Sequence, residues 1–187
     1  MPRRARPAFD NVPCHVINRA VRSELLFGGP HDYEEFQGLL VDALKRQPAQ
    51  LVAYCLMPSH WHLVIWPQTG AALSRLLHWL TSTHARRWHA ARGVIGTGPL
   101  YRNRFKAIPI RSEQQLLTVC RYVERNALRA NLASRAEGWP WSSAWQRVNN
   151  CSIVPLSDVQ PLHFPDWIDW LNRPQTEAEL AAWGRVR

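Results

Sequence analysis

The amino-acid sequence predicts an α+β fold built on a ferredoxin-like or RRM-like antiparallel sheet, with strands and helices in the order βαββαβ. Three observations support this prediction. Short apolar runs, some alternating with polar residues, are typical of strands. Two longer segments carry apolar residues at helical spacing. Turns that contain glycine or proline separate these segments in the order of a split βαβ unit. An added helix and an irregular C-terminal extension follow this core.

The first strand and the first helix are predicted near the N-terminus. Residues 13–20 form a short strand candidate. After Gly28-Gly29-Pro30, Asp32 is predicted to cap a helix, with Glu35 three residues later. Pro48 ends this helix, because proline cannot continue it. Its predicted buried stripe consists of Phe36, Leu39, Leu40, Ala43 and Leu44.

A hairpin and a long helix come next. Residues 51–57 and 60–66 read as two strands, and Pro58-Ser59 interrupts them as a turn. A helix is then predicted from about residue 71 to residue 92, with Gly93 just past its end. Its buried face consists of Leu73, Leu76, Leu77, Leu80 and His84.

The fourth strand is predicted within residues 102–111. It is an edge strand, because Pro109 cannot donate a hydrogen bond to a neighbour. Ser112 and Gln115 then form a capping box at the start of a further helix. The sheet should carry its two core helices on one face, and the helix after Ser112 is additional to that core.

The predicted domain organisation is a core of residues 1–135, which includes the added helix, and an extension of residues 136–187. The extension is rich in tryptophan and contains several prolines, and we expect it to pack on the same domain. Its first tryptophans are Trp139, Trp141 and Trp145.

Composition narrows the class of protein. Hydrophobic residues make up 46% of the chain and charged residues 20%, so the chain can bury a core. We find no apolar run near the ~18 residues of a membrane span and no signal peptide, and we therefore expect a cytoplasmic protein without a membrane partner. The four cysteines form no CxxC pair, which predicts reduced structural thiols.

Positive charge is concentrated in residues 71–135. This stretch holds twelve Lys and Arg against two Glu, whereas the whole chain has a net charge of +9. Such clustering favours binding to a polyanion. The alternative is a solvated basic face without a partner.

The segment Met57-Pro58-Ser59-His60-Trp61-His62 carries the first chemical signal. Residues two apart on a strand share a face at about 6.5 Å, so His60 and His62 can converge on one divalent ion. Neutral imidazoles bind Mn²⁺ or Zn²⁺ well. Two structural histidines remain the alternative interpretation.

The second signal lies in the added helix. Tyr122 and Asn126 are four residues apart and so share a helix face, which Arg129 continues. Tyr122 could be a nucleophile and Asn126 an oxygen ligand to a metal ion. Two imidazoles and one amide oxygen would leave coordination positions open for a phosphate. In the alternative, Tyr122 lies at the edge of the core and Asn126 faces solvent.

Together these residues resemble a known family. His60-Trp61-His62 after Met57-Pro58, the RYVERNALRANL segment and Trp139-Pro140-Trp141-Ser142-Ser143 are similar to motifs of the REP-associated tyrosine transposases. These belong to the HUH single-strand transposases of insertion sequences. The resemblance covers roughly residues 13–144. It implies that His60 and His62 bind the metal, that Tyr122 is the nucleophile and that Asn126 is the third ligand.

The resemblance also implies an activity. Such enzymes cut and rejoin single-stranded DNA beside repetitive extragenic palindrome hairpins, with Mg²⁺ or Mn²⁺, through a 5′-phosphotyrosine. This sequence departs from the family in two places. Asn126-Ala127-Leu128-Arg129 stands where the family often has Asn-Pro-Val-Arg, and Trp61 replaces a smaller hydrophobic residue. Neither change removes a proposed catalytic group.

Two other functions remain open at this stage. A replication or conjugation nuclease of plasmid type uses similar histidines and a tyrosine, usually in a larger chain. An RRM-like module would bind nucleic acid without cutting it, through aromatic residues on the sheet. The oligomeric state, monomer or dimer, is also open. For the DNA-bound, nucleoid-associated enzyme, the predicted DNA contacts are Arg19, Arg86, Arg87, Arg102, Arg104, Lys106 and Arg129.

Overall fold

The computed structural model describes residues 10–21, 24–159, 162 and 166–177. The predicted extension beyond residue 177 lies outside this part. No helix in the described part is long and apolar enough to span a bilayer. The strands are β1 (Cys14–Arg19), β2 (Ala49–Met57), β3 (His60–Pro67) and β4 (Lys106–Pro109). The helices are α1 (Pro30–Arg46), α2 (Gly70–Ala91), α3 (Glu113–Glu124), α4 (Asn126–Arg129), α5 (Ser143–Val148) and α6 (Trp167–Asn172).

The four strands form one antiparallel sheet in the order β2-β3-β1-β4. This is the order of a split βαβ unit, and it confirms the predicted fold class. The β2–β3 connection is the two-residue turn Pro58-Ser59. Ala20 and Phe27 donate backbone hydrogen bonds to its carbonyl oxygens, at 2.9 and 3.2 Å. The start of β3 is therefore fixed by backbone contacts from outside the hairpin.

Helices cover both faces of the sheet. As predicted, α1 and α2 pack on one face, where Trp61, Leu63 and Ile65 of β3 join their core. The added helix α3 packs on the opposite face, against Val64 and the β2 residues of that face. Because side chains of a strand alternate between faces, β3 supplies residues to both layers.

Two element boundaries differ from the sequence predictions by three residues or more. The first helix begins at Pro30 after Gly29, because proline has the backbone angle of a first helical residue. Asp32 therefore lies inside the helix, where its carboxylate accepts from the Gly28 amide at 2.7 Å and pairs with Arg92. The fourth strand begins only at Lys106. In contrast, the Ser112 cap is confirmed, with its hydroxyl accepting from the Gln115 amide at 3.1 Å.

Trp61 anchors β3 from the side of the sheet that faces α2. Its side chain is completely buried, and its indole nitrogen donates to the Tyr101 hydroxyl at 3.1 Å. That hydroxyl also lies 2.7 Å from His84 Nδ1 on α2. A buried indole N–H needs such a partner. Here the partner, Tyr101, is itself hydrogen-bonded to His84 of the second core helix. This larger residue in the histidine motif is accommodated because it points away from the histidines.

The start of the C-terminal extension covers the outer edge of β2. The Leu56 amide donates to Trp141 O, and the Trp139 indole donates to Leu56 O. Further along the edge, Ser157 donates its amide to Leu51 O, and the Arg147 guanidinium donates to Val52 O. An uncovered edge strand would expose these backbone groups to pairing with other chains. The extension is thus hydrogen-bonded to the β2 edge at several points up to residue 157.

Glu124 joins α3 to this extension. Its carboxylate is completely buried and accepts hydrogen bonds from Ser143 at 2.6 Å, Arg147 at 3.1 Å and Trp167 at 2.7 Å. Each donor belongs to the segment after residue 135. The last residue of α3 is therefore held by three groups from the C-terminal extension.

Replacing Glu124 by Ala should lower the free energy of unfolding by about 3 kcal/mol or more, because it leaves Arg147 and two further donors without their acceptor. Urea denaturation monitored by circular dichroism measures this change. The matched control is Glu35→Ala, which removes an exposed pair with Arg87 at 3.5 Å. That change should cost less than about 1 kcal/mol. Equal effects of the two substitutions would contradict the role given to Glu124.

Candidate active site

His60 and His62 lie on the face of β3 that α3 covers. The strand register sets His60 opposite Arg19 and Met57, and His62 opposite Ile17 and Cys55. Their rings are 5.1 Å apart between centroids and inclined at 80°. The structure thus brings the two predicted metal histidines together, with Arg19 beside them.

A third histidine joins this pair. His15 on β1 is 1% exposed, and its Nε2 lies 2.8 Å from Nδ1 of His62. The sequence analysis did not identify His15. The signal was available, because His15 shares a strand face with Arg19, four residues along, once residues 13–20 are placed beside the histidine strand.

All three histidines have pKa values below the usual range of a histidine. Burial lowers the pKa of His60 to about 4, with a contribution from Arg19. Burial also lowers the pKa of His15 to about 3, helped by Lys106. The pKa of His62 is held well below 6.5 by burial and then by its histidine neighbours. The imidazoles are therefore neutral at physiological pH, which is the form that binds a metal ion.

Tyr122 lies directly against the histidines. Its ring is 5.6 Å from that of His62 and 6.1 Å from that of His15, nearly perpendicular to both. The guanidinium of Arg129 lies 4.8 Å from the centroid of the Tyr122 ring. The phenol is 8% exposed, so it is enclosed between the histidines and a cation.

The other three tyrosines of the sequence all lie in the described part and have structural roles. Tyr101 binds Trp61 and His84 on the opposite face of the sheet. Tyr54 accepts from Gln37 and donates to Gln146 inside the core. Tyr33 stacks on Trp141 at 4.6 Å. Only Tyr122 is therefore placed to react beside the histidines.

Asn126 begins the short helix α4, which is separated from α3 only by Arg125. It is 7% exposed, and its Nδ2 is buried without a hydrogen-bond partner among the described residues. A rotation of the amide by 180° exchanges Nδ2 and Oδ1, and would give this buried position an oxygen that a cation can satisfy. The structure thus leaves Asn126 buried, contrary to the alternative in which it faces solvent.

The three candidate ligands, His60, His62 and Asn126, have the chemistry that suits a divalent ion. Two neutral imidazoles and one amide oxygen are borderline and hard ligands, which Mn²⁺ and Mg²⁺ accept. Within the described residues, no group of three or more His, Cys, Asp or Glu side chains is arranged to hold a metal ion. A site here therefore depends on the amide of Asn126 or on groups of a substrate to complete its coordination.

The predicted DNA contacts fall into two groups. Arg19, Arg102, Arg104 and Lys106 line a cleft of about 150 Å³ at the β1–β4 edge, which we call the basic cleft. Arg129 lies over Tyr122, next to the same site. Arg86 and Arg87, in contrast, lie on α2, on the other side of the sheet, and Arg87 pairs with Glu35 at 3.5 Å.

A larger groove adjoins the basic cleft. It has a volume of about 850 Å³ and runs between α2 and residues 99–105. The two cavities share Asn18, Asn103 and Arg104, so they are contiguous. Arg75 and His78 add basic groups from α2. A path with basic side chains along it therefore leads from α2 around the sheet edge to Arg19, the strand partner of His60.

Part of the basic segment has an internal role. Arg121 is 2% exposed, donates to Trp170 O at 3.0 Å and to Arg173 O at 2.7 Å, and stacks on the Trp170 ring. Arg125 donates to Leu171 O and Arg173 O. These two arginines hold the α6 region against α3, the helix that carries Tyr122. Their charges satisfy backbone carbonyl groups, which the charge count alone could not reveal.

Comparison with models of protein families identifies the family of this chain. The family model described as IS200-like transposase matches residues 8–126, which is more than half of the chain and includes His60, His62, Tyr122 and Asn126. The chain belongs to the IS200-like transposase family. It is therefore a transposase, and the sequence resemblance to this class is confirmed. A search of curated protein sequences finds no match to this transposase.

Two solved transposase structures are similar to this chain. A REP-associated tyrosine transposase bound to a REP hairpin superposes with a TM-score of 0.61 at 14% identity, over 86% of this chain and 96% of that one. A candidate transposase from Deinococcus radiodurans R1 gives a TM-score of 0.45 at 19% identity, over 66% of this chain and 97% of that one. The first likeness establishes the fold of this transposase.

Proposed function

We propose that this transposase is a metal-dependent single-stranded DNA endonuclease and strand transferase that acts at palindromic hairpins of the REP type. The observation that carries the proposal is the enclosure of Tyr122 between the histidines of β3 and Arg129. The family assignment supports transposition as the process, and the REP hairpin bound by the structural relative supports the class of substrate.

His60, His62 and Asn126 are the residues that would hold Mg²⁺ or Mn²⁺. A bound ion would supply Lewis-acid stabilisation of a scissile phosphate. The histidines are neutral and two residues apart on one strand face, and Asn126 has a buried amide position without a partner. Arg19 and Arg129 add positive charge around the position where a phosphate would bind.

Tyr122 is the proposed nucleophile. Its hydroxyl oxygen attacks phosphorus, loses its proton and forms the new O–P bond, while the P–O3′ bond breaks. The leaving O3′ takes up a proton and becomes a free hydroxyl. The 5′ phosphate stays on the tyrosine, so the linkage keeps the bond energy for a later attack by a 3′ hydroxyl. Positive charge from Arg129 and from a bound cation would stabilise the phenolate that this step needs.

The basic cleft and the adjoining groove suit a DNA strand that passes the sheet edge. Arg102, Arg104 and Lys106 would contact phosphates close to the cut, and Arg129 lies beside the nucleophile. A hairpin offers a rigid stem together with a flexible flank. The flank can bend across the site, whereas a stacked duplex resists this at a cost of several kcal/mol. Both faces of the sheet carry helices, which argues against an RRM-like module whose sheet face stacks bases.

Tyr122→Phe should reduce cleavage of a hairpin with a single-stranded flank by at least about 10³-fold, because only the nucleophilic hydroxyl is lost. The free energy of unfolding should change by about 1 kcal/mol or less. Oligonucleotides labelled at either end, separated on denaturing gels, measure the reaction. With the unchanged protein the 3′-labelled half should remain attached, and a perfect duplex should not be cut.

The matched control is Tyr101→Phe, which removes a hydroxyl on the opposite face of the sheet. It should lower stability by about 1–3 kcal/mol, because Trp61 and His84 lose their partner, and should leave cleavage intact. Cleavage by the Tyr122 variant at the rate of the unchanged protein would refute the proposed nucleophile. Retention of the 5′-labelled half would refute the proposed 5′-phosphotyrosine linkage.

Replacing His60 or His62 by Ala should abolish metal-dependent cleavage, because each removes a ligand. Asn126→Ala should weaken Mn²⁺ binding, and Asn126→Gln should restore it in part, since the amide oxygen is retained. Calorimetric titration with Mn²⁺ and cleavage after chelation check these outcomes. His31→Ala, on the exposed side of α1, is the control and should behave as the unchanged protein. Full cleavage in chelator would contradict the metal site.

Arg102→Gln or Arg104→Gln should reduce the slope of log K against log salt by about 0.7 for a single-stranded oligonucleotide, because one phosphate contact is lost. The same loss should occur with a hairpin. Arg86→Gln and Arg87→Gln should reduce the slope only with the hairpin, because they lie across the sheet. Unchanged slopes for all four variants would make the basic region a solvated face.

A further inference from the structure

His15 is a buried histidine that the proposed reaction does not use. It is the second residue of β1 and lies opposite Val64, on the same sheet face as His62. Its ring reaches along this face until its Nε2 is 2.8 Å from Nδ1 of His62. Both residues are at most 2% exposed, so no bulk solvent competes for this contact.

The geometry of the contact defines its chemistry. The two rings are parallel within 6°, and their centroids are 5.1 Å apart. This separation is about the N···N distance plus one ring radius at each end, so the imidazoles lie end to end in one plane. In this arrangement the hydrogen bond is linear, which is its strongest form. The facing nitrogens of His15 and His62 are directed at each other.

This arrangement separates His15 from the set of metal ligands. Because its Nε2 is directed at His62, it is not directed at an ion shared by His60 and His62. The absence of a three-residue His, Cys, Asp or Glu metal group within the described residues agrees with this. His62 uses Nδ1 toward His15, and its Nε2 is the nitrogen that remains for a cation.

We propose that His15 is a positioning residue that accepts the Nδ1–H of His62 and so fixes His62 in the tautomer whose Nε2 carries the lone pair. The inference rests on the proposed function, because the divalent-cation site is part of it. A histidine that binds metal generally donates its other ring N–H to a partner that sets ring orientation and tautomer. In this chain the partner is a second neutral imidazole from the neighbouring strand.

The same contact also supports the nucleophile. The Tyr122 ring is nearly perpendicular to both imidazoles, at 84° to His62 and 82° to His15. The coplanar pair therefore forms a flat surface against which the phenol packs. A rotation of the His62 ring would change both the direction of its Nε2 lone pair and the packing of Tyr122.

The test compares His15→Gln with His15→Asn, which carry the same amide and differ by one methylene group. Glutamine reaches the position of Nε2 and offers an oxygen acceptor, whereas asparagine is too short. In metal-free protein, long-range ¹H–¹⁵N correlation spectra should show His62 protonated on Nδ1 in the unchanged protein and in His15→Gln. His15→Asn should show a mixture of tautomers. Mn²⁺ affinity should fall by about 10-fold or more in His15→Asn and recover in His15→Gln.

His84→Asn is the matched control, because His84 is also 1% exposed and hydrogen-bonded but lies on the opposite face. It should lower stability and change neither the His62 tautomer nor the Mn²⁺ affinity. An equal loss of affinity in His84→Asn would overturn the inference. So would unchanged Mn²⁺ binding in His15→Asn.

If His15→Asn does not fold, the spectrum of the unchanged protein still tests the inference. Protonation of His62 on Nε2 in that spectrum would overturn the inference by itself. Absence of Mn²⁺ binding by the unchanged protein would overturn the proposed metal site and this inference with it. Retained binding by His15→Asn would remove only the role of His15. The two failures are therefore distinguishable.

Discussion

The alternation of side chains along β3 determines most of the geometry of the site. Trp61 points into the core under α1 and α2, whereas His60 and His62 point to the side that α3 covers. Both faces are buried, so a slip of one residue would place imidazoles in the apolar core and an indole at the site. The complete burial of the Trp61 side chain opposes such a slip. The positions of the reactive groups therefore depend on a tryptophan that takes no part in the chemistry.

The second constraint is the attachment of α3 to its own sheet. Its apolar residues pack on β2 and β3, and its C-terminal end is held by Glu124, Arg121 and Arg125. These charged side chains bind groups of the C-terminal extension, which also covers the β2 edge. The extension thus stabilises both the sheet and the helix that carries Tyr122. This explains how a tyrosine 60 residues after His62 in the sequence comes to lie 5.6 Å from its ring.

The sequence predicted the features that depend on local periodicity. The βαββαβ order, the hairpin around Pro58 and the shared face of His60 and His62 follow from two-residue alternation and turn residues. The Ser112 cap follows from its spacing to Gln115. The site of Tyr122 was predicted through family motifs, since the pattern of the helix left open which sheet face it covers.

Other features depend on partners far away in the sequence and could not be read from local pattern. His15 acquires its role only when β1 pairs with β3, because a single histidine on a strand predicts nothing by itself. The signal for His15 was in this strand pairing and not in the local pattern. Arg121 and Arg125 were counted with the DNA-binding charge, but they bind carbonyl groups about 50 residues later, at 170 to 174. Asp32 was assigned as a cap because its residue type suits one, whereas Pro30 allowed the helix to begin three residues earlier, with Gly29 as its cap.

In this structure one chain supplies both the histidines and the tyrosine of a single site. This arrangement can be tested by mixing two inactive variants, His60→Ala and Tyr122→Phe, with cleavage of a flanked hairpin as the readout. If α3 of each chain stays on its own sheet, every site in the mixture lacks one group, and cleavage should not exceed that of either variant alone. Restored cleavage in the mixture would contradict it, because the helix would then complete the site of a partner chain.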